Sequence, residues 1–325
     1  MEAIVLAAGR GTRMRGLCDR LPKPMLPLAN RPALERTVES LARAGVERAY
    51  LVIGHLAERV REHFGAAPPP IPVEYVIQQE AKGTGHAALL GRGRMKEVPF
   101  MLVFGDILTS GRNYARVAAD FQAGTTDAVL ATRHVEDPWR GAAVYVNGEG
   151  FVSRIVEKPP KGQSTTQFDN AGLFCFSPRI WDILEEVKIS PRGEYELTDA
   201  IQAMLADRGR IRARELEGYW LNLTGPEELL AGNCRVLEED TGEGGAPRTI
   251  HPTASAEGAL LGESVSLGPE CRVAEGAEIQ NAILLPRVRV GKGAVVRWAI
   301  LGEGVEIAEG EKVEGTPEEV AVRPG

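Results

Sequence analysis

Ala3-Ile4-Val5-Leu6-Ala7-Ala8-Gly9-Arg10-Gly11-Thr12-Arg13 is a short apolar run that breaks into a glycine-rich turn. The apolar part suits a strand buried on both faces of a parallel sheet. Glycines at the carboxyl end of such a strand let backbone N–H groups approach an anion closely. Arg13 adds positive charge, and ten residues on stands Pro22-Lys23-Pro24, a lysine held on stiff backbone between two prolines. The turn is not a dinucleotide fingerprint, because Met14 stands where G-x-G-x-x-G needs glycine, and it is not a G-x-x-x-x-G-K-[ST] loop. The chemistry that remains is the gripping of a triphosphate.

Working outward, strand-like runs alternate with helix-like ones. Ala49 to Ile53, Glu74 to Ile77, Phe100 to Phe104 and Ala128 to Thr132 read as strands, and Leu34 to Ala44 as an amphipathic helix capped by Gly45. This alternation predicts an α/β, Rossmann-like fold with a mostly parallel sheet. Ligands of such sheets bind beyond the carboxyl ends of the strands, where Gly9, Gln78 and Asp106 fall.

Composition narrows the class. The 325 residues are 43% hydrophobic and 26% charged, with a formal net charge of −7. That balance argues against a nucleic-acid binder, so anionic ligands need local cations, which Arg10, Arg13, Arg15, Arg20 and Lys23 can supply. No run approaches the roughly 18 apolar residues of a membrane span, and Glu2 at the edge of a strand leaves no room for a signal peptide. A cytoplasmic protein that meets no membrane is expected. Cys18, Cys175, Cys234 and Cys271 form no C-x-x-C pair, and the five histidines suggest no metal cluster. Cys18 lies near the anion loop but has no base beside it, so it reads as a spectator.

The stretch Glu238 to Pro247 is acidic and glycine-rich and reads as a linker, 238–248, between a domain over 1–237 and another over 249–325. Past it, Leu261, Leu267, Val273 and Ile279 recur every six residues. Val290, Val296, Leu301, Ile307 and Val313 resume the pattern after a break, with one step of five. A hexapeptide repeat is the signature of a parallel β-helix, its aliphatics stacked inside. Such a domain offers contact surfaces, and a homo-oligomer is expected.

Several further motifs follow in order: Gln78 before Gly83-Thr84-Gly85-His86-Ala87, then Phe104-Gly105-Asp106, Val156-Glu157-Lys158-Pro159 and Asn170-Ala171-Gly172. Gly193-Glu194-Tyr195-Glu196-Leu197-Thr198-Asp199 and Gly218-Tyr219-Trp220-Leu221-Asn222 complete the series. With G-x-G-T-R and P-K-P, this set resembles the sugar-1-phosphate nucleotidylyltransferases, the NDP-sugar pyrophosphorylases. The resemblance implies transfer of a nucleotidyl group from a nucleoside triphosphate to a sugar 1-phosphate, and a left-handed β-helix as the tail. It implies that Leu6, Ala7, Ala8, Gly9, Gly11, Thr12, Gln78, Gly83 and Thr84 bind the nucleotide. Arg13 would meet the β and γ phosphates, Lys23 the α phosphate and Lys158 the sugar phosphate. Gly141, Glu157, Asn170 and Gly172 would hold the sugar. Asp106 suits Mg²⁺ beside phosphates. Most relatives supply a second aspartate where this chain has Asn222, although the branch that uses N-acetylglucosamine 1-phosphate has asparagine there.

Gln78 and Ala8 lean towards a pyrimidine nucleotide, UTP or dTTP, with glucose 1-phosphate or its N-acetylamino relative. The long 15–21 loop and E-K-P-P look more like thymidylyl- or mannose-1-phosphate guanylyltransferases. A non-catalytic NDP-sugar-binding paralogue is a rival, opposed by the retained Arg13, Lys23, Asp106 and Lys158. An acyltransferase acting through the repeats is another, weakened because His251 is their only histidine.

Overall fold

The structure is a computed structural model describing residues 1–124, 126–242 and 247–325. Strands β1 (Glu2–Leu6), β2 (Arg48–Ile53), β3 (Val73–Ile77), β4 (Phe100–Phe104), β5 (Ala128–His134), β6 (Ala142–Val146), β7 (Val152–Glu157), β8 (Phe168–Phe176) and β9 (Ile211–Glu215) form one sheet. Its order is β7-β6-β8-β4-β1-β2-β3, with β5 also paired to β8 and β9 to β5. The pairs β1–β2, β1–β4, β2–β3 and β5–β9 are parallel, whereas β8 runs against β4, β5 and β6, and β7 against β6. Only β7 and β8 therefore oppose the common direction, and the sheet is mostly parallel as the alternating pattern predicts. Ile4, Val52, Leu102, Leu130 and Phe174 bury one face against Ile180, Trp181, Ile201 and Met204. Each predicted strand is present within two residues of its expected ends.

Two compact units divide the chain: residues 1–9 with 34–220, and residues 10–33 with 221–325. The sequence boundary near 237 thus leaves out two segments that join the repeats. Asn233, fully buried on the helix Pro226–Thr241, explains why. Its Oδ1 accepts from the Ala29 N–H at 2.8 Å and from the Ser266 hydroxyl at 2.9 Å, and the Asn30 amide donates to the Leu267 carbonyl at 2.7 Å. Replacing Asn233 with alanine leaves those buried donors without an acceptor and is expected to cost about 1–3 kcal/mol, read from the urea midpoint.

The helix runs into the expected linker as far as Thr241, because glutamate is a good helix former, and Gly242 at φ +67° ends it. Linker residues 243–246 lie outside the described residues. Beyond them, short strands pair in parallel, and the central pairs keep one offset: Glu278, Val295 and Lys312 stand side by side, 17 residues apart. The inward aliphatics form three ladders, Leu267-Leu284-Leu301, Val273-Val290-Ile307 and Ile279-Val296-Val313. All nine are buried. Leu284 fills the break in the six-residue pattern, which in fact steps by six, six and five. Three residues before each aliphatic the backbone has positive φ, at Ser264, Glu270, Gly276, Asn281, Arg287, Gly293, Trp298, Gly304 and Gly310. Most of these are not glycine, so stacking of the repeats holds a conformation that L-residues disfavour.

Candidate active site

In the first unit the predicted nucleotide residues gather at the carboxyl ends of neighbouring parallel strands. The Ala7 N–H donates to Val52 O, the Gly105 N–H to Leu6 O, and the Gln78 N–H to Ile53 O, each at 2.8 Å. These bonds extend the sheet by one residue past β1, β4 and β3 and align Ala7, Gly105 and Gln78 along one edge, with Asp106 the next residue after Gly105. A Cβ on Gly54 would lie 3.0 Å from Gln78 O and 3.2 Å from Ala8 Cβ, so the edge is closely packed.

Gly83 and Thr84 lock onto the second glycine motif. The Tyr195 N–H donates to Lys82 O and the Gly85 N–H to Tyr195 O, both at 2.8 Å. A side chain at Gly83 would stand 2.5 Å from Tyr195 O, which explains the glycine. The Thr84 hydroxyl accepts from the Leu197 N–H at 3.1 Å and so caps the helix Leu197–Ala206 from outside. The Gln78 side chain is buried, with its amide nitrogen 3.0 Å from His86 Nδ1 and 3.5 Å from Gly83 O.

The expected sugar residues surround a group that the motif reading passed over. Asp169 is buried on β8; its Oδ2 accepts from Arg133 Nε and Nη2 at 3.1 and 2.8 Å, and its Oδ1 from the Ala142 N–H at 2.8 Å. Any Cβ on Gly141 would meet Asp169 Oδ1 at 2.1 Å, so only glycine fits. Gly141 O in turn accepts from the Lys158 N–H at 2.8 Å, and Asn170 Oδ1 accepts from the Gly172 N–H at 3.0 Å. The Arg133 guanidinium lies 3.6 Å over the Trp220 ring, whose N–H donates to Ala171 O at 2.9 Å. Asp169 therefore ties together Gly141, Lys158 and the Asn170–Gly172 stretch. A charged residue inside the mostly apolar Phe168–Phe176 was the signal that could have revealed it.

Glu157 is half-buried; it accepts from the Thr198 hydroxyl at 3.1 Å and from Arg192 at 3.2 Å, while Arg192 also reaches buried Glu196 at 2.8 Å. Burial raises the Glu157 pKa, the Glu196 charge raises it further, and Lys158, Thr198 and Arg192 oppose both. A carboxylate with a raised pKa takes up its proton at higher pH than an ordinary glutamate. If Glu157 binds sugar hydroxyls as the anion, KM for the sugar phosphate rises as pH falls through that raised value. Glu196→Gln removes the like charge, so the rise is expected at lower pH in this variant, measured as KM against pH.

In the second unit, Thr12–Met14 and Lys23–Met25 form single 3₁₀ turns. Arg13 is exposed, whereas Lys23 is 8% exposed. Arg15, expected among the phosphate cations, is taken instead by Glu227 at 2.7 Å and by Val320 O at 3.0 Å. Burial pushes the Cys18 thiol up to about 11, so it stays protonated at neutral pH, in keeping with a spectator. Asn222 Oδ1 is buried without a hydrogen-bond partner among the described residues. A lone buried amide oxygen is a hard donor that a cation would satisfy. In the first unit, Asp106 is half-buried and carries a carboxylate, a hard donor in its own right. Among the described residues no group of three or more His, Cys, Asp or Glu could hold a metal ion. No described helix is long and apolar enough to cross a membrane.

Residues 2–239 match the nucleotidyl transferase family, and residues 246–324 match the GMPPB C-terminal domain. The bifunctional protein GlmU of Methanococcus maripaludis is 33% identical over 239 residues, covering 74% of this chain and 55% of the relative. UTP–glucose-1-phosphate uridylyltransferase AglF of Haloferax volcanii is 31% identical over 245 residues, covering 74% of this chain and 98% of the relative. The chain thus spans about half the length of the GlmU relatives it matches (55%). A UDP-glucose pyrophosphorylase solved with UDP-glucose shares the fold, with TM-score 0.67 and 24% identity, covering 73% of this chain and 98% of that one.

Proposed function

The chain belongs to the nucleotidyl transferase family, and on that premise we propose that it moves a nucleotidyl group from a nucleoside triphosphate onto a sugar 1-phosphate. An oxygen of the sugar phosphate attacks the α phosphorus; that P–O bond forms as the bond to the β phosphate breaks, and pyrophosphate leaves. The reading rests on one observation: Ala7, Gln78 and Gly105, with Asp106 directly after it, stand past the carboxyl ends of parallel strands of one sheet.

Both reactants are anions, so the work is alignment and neutralisation rather than nucleophilic catalysis. Arg13 would draw the β and γ phosphates, Lys23 the α phosphate and Lys158 the sugar phosphate. Backbone N–H groups from Leu6 to Gly11, with Thr12, Gln78, Gly83 and Thr84, would hold the nucleotide, and Gly141, Glu157, Asn170 and Gly172 the sugar. Asp106 and Asn222 would be the protein ligands of Mg²⁺, which when bound neutralises phosphate charge. UTP or dTTP with glucose 1-phosphate or N-acetylglucosamine 1-phosphate is the reading we take from Gln78, and the printed name of the AglF relative, a UTP–glucose-1-phosphate uridylyltransferase, supports the UTP and glucose part of it. The match of residues 246–324 favours a second reading, transfer of guanylyl to mannose 1-phosphate. The repeats, read as a left-handed β-helix, would serve a homo-oligomer rather than an acyl transfer.

A panel of five nucleoside triphosphates against glucose, mannose and N-acetylglucosamine 1-phosphates, read by pyrophosphate release, tests this. One productive pair supports the reading and names the substrates; no release from any pair defeats it.

A further inference from the structure

A glutamine amide can face a ligand either way round, and the two ways read opposite hydrogen-bond patterns. Gln78 is tethered to the sheet edge by its own N–H, and its side chain is buried. Its amide nitrogen faces Gly83 O and His86 Nδ1. A carbonyl only accepts, so the nitrogen must lie on that side, and both amide hydrogens are engaged there. His86 Nδ1 is then the unprotonated ring nitrogen. Burial lowers the His86 pKa and Lys82 lowers it further, against Glu80, which favours that neutral ring. The Tyr195 ring, 6.4 Å away between centroids, flanks the imidazole. Gln78 Oε1 has no hydrogen-bond partner among the described residues, and it is the end of the amide turned away from Gly83 O and His86.

We propose that His86 is a positioning residue: it locks Gln78 with its carbonyl oxygen outward and so selects bases that carry a ring N–H on their pairing edge. The inference rests on the functional reading above. Uracil and thymine present that N–H at N3 and guanine at N1, whereas cytosine N3 and adenine N1 are acceptors and would oppose the oxygen. The Thr84–Leu89 helix thereby sets base choice through a side chain that need not touch the nucleotide itself.

The test is the ratio of kcat/KM for the N–H base over its aminated counterpart, UTP over CTP or GTP over ATP, on whichever pair the protein uses. Wild type is expected to discriminate by about tenfold or more, the scale of one unmatched buried polar contact. His86→Leu should lower the ratio by about tenfold while KM for the sugar phosphate holds, and His86→Phe serves if the leucine variant does not fold. His86→Asn, whose amide oxygen can accept near the Nδ1 position, should keep the ratio within about threefold of wild type. An active wild type without the preference, or an apolar variant within about twofold of the wild-type ratio, overturns the inference and leaves the functional reading standing. Absence of turnover with every triphosphate sinks that reading and this inference with it.

Discussion

Replacing Asp106 with alanine is expected to slow pyrophosphate release by about a hundred- to a thousandfold, the scale of losing one preorganised charge contact in a phosphoryl-transfer site. The residue follows β4 at the sheet edge, one residue past the Gly105 N–H bonded to Leu6 O, so its carboxylate is carried by rigid backbone beside the glycine turn. Asn222→Asp should retain activity, because it restores a second carboxylate where the amide oxygen is buried and unpaired. The two variants should also separate in a Mg²⁺ titration. Asp106→Ala needs more metal for half-maximal rate and Asn222→Asp needs less, and chelation abolishes turnover in both until Mg²⁺ is returned. Equal and mild losses in the two variants, at unchanged metal requirement, would contradict the assignment of both residues.

Asp169→Ala is the second large effect, and it acts on stability and on one substrate at once. The variant strands the Arg133 guanidinium in a half-buried position and removes the acceptor for the Ala142 N–H. Removing one member of a buried pair is expected to cost about 2–4 kcal/mol here, at the lower side because Arg133 keeps some solvent and the Trp220 face. The same carboxylate holds the Ala142 N–H next to Gly141, whose carbonyl accepts from the Lys158 N–H, so KM for the sugar phosphate should rise about tenfold while KM for the triphosphate stays within about twofold. Urea unfolding and paired KM measurements check both parts. An unshifted unfolding midpoint, or the two KM values moving together, would show that Asp169 does not organise the sugar side.

The phosphate-side motifs were legible because their chemistry is local: glycines, a threonine and cations within a few residues of a strand end. Gln78 was legible as a candidate base reader, but its bond to His86 was not, since spacing alone does not reveal it. Asp169 and Arg133 were missed for a related reason. Asp169 stands out as a charge in a mostly apolar strand, but nothing in the chain names its partner, and the two become a pair only when β5 and β8 lie antiparallel with Asp169 opposite Arg133. Arg15 shows the opposite error: a cation beside the anion loop looked available, but Glu227, far along the chain, claims it. In the repeats the six-residue rhythm was visible, while its true step of six, six and five needed the ladder to place Leu284 between Leu267 and Leu301.

The order of strands and helices, the turn after β1 and the repeat period were written in the chain, because apolar periodicity and glycine placement act over a few residues. Tertiary structure alone decided which way an amide faces, which carboxylate meets which guanidinium, and that residues 10–33 cluster with the C-terminal repeats. Those outcomes depend on hydrogen bonds between residues tens to hundreds of positions apart, and such bonds exist only once the backbone has closed around them.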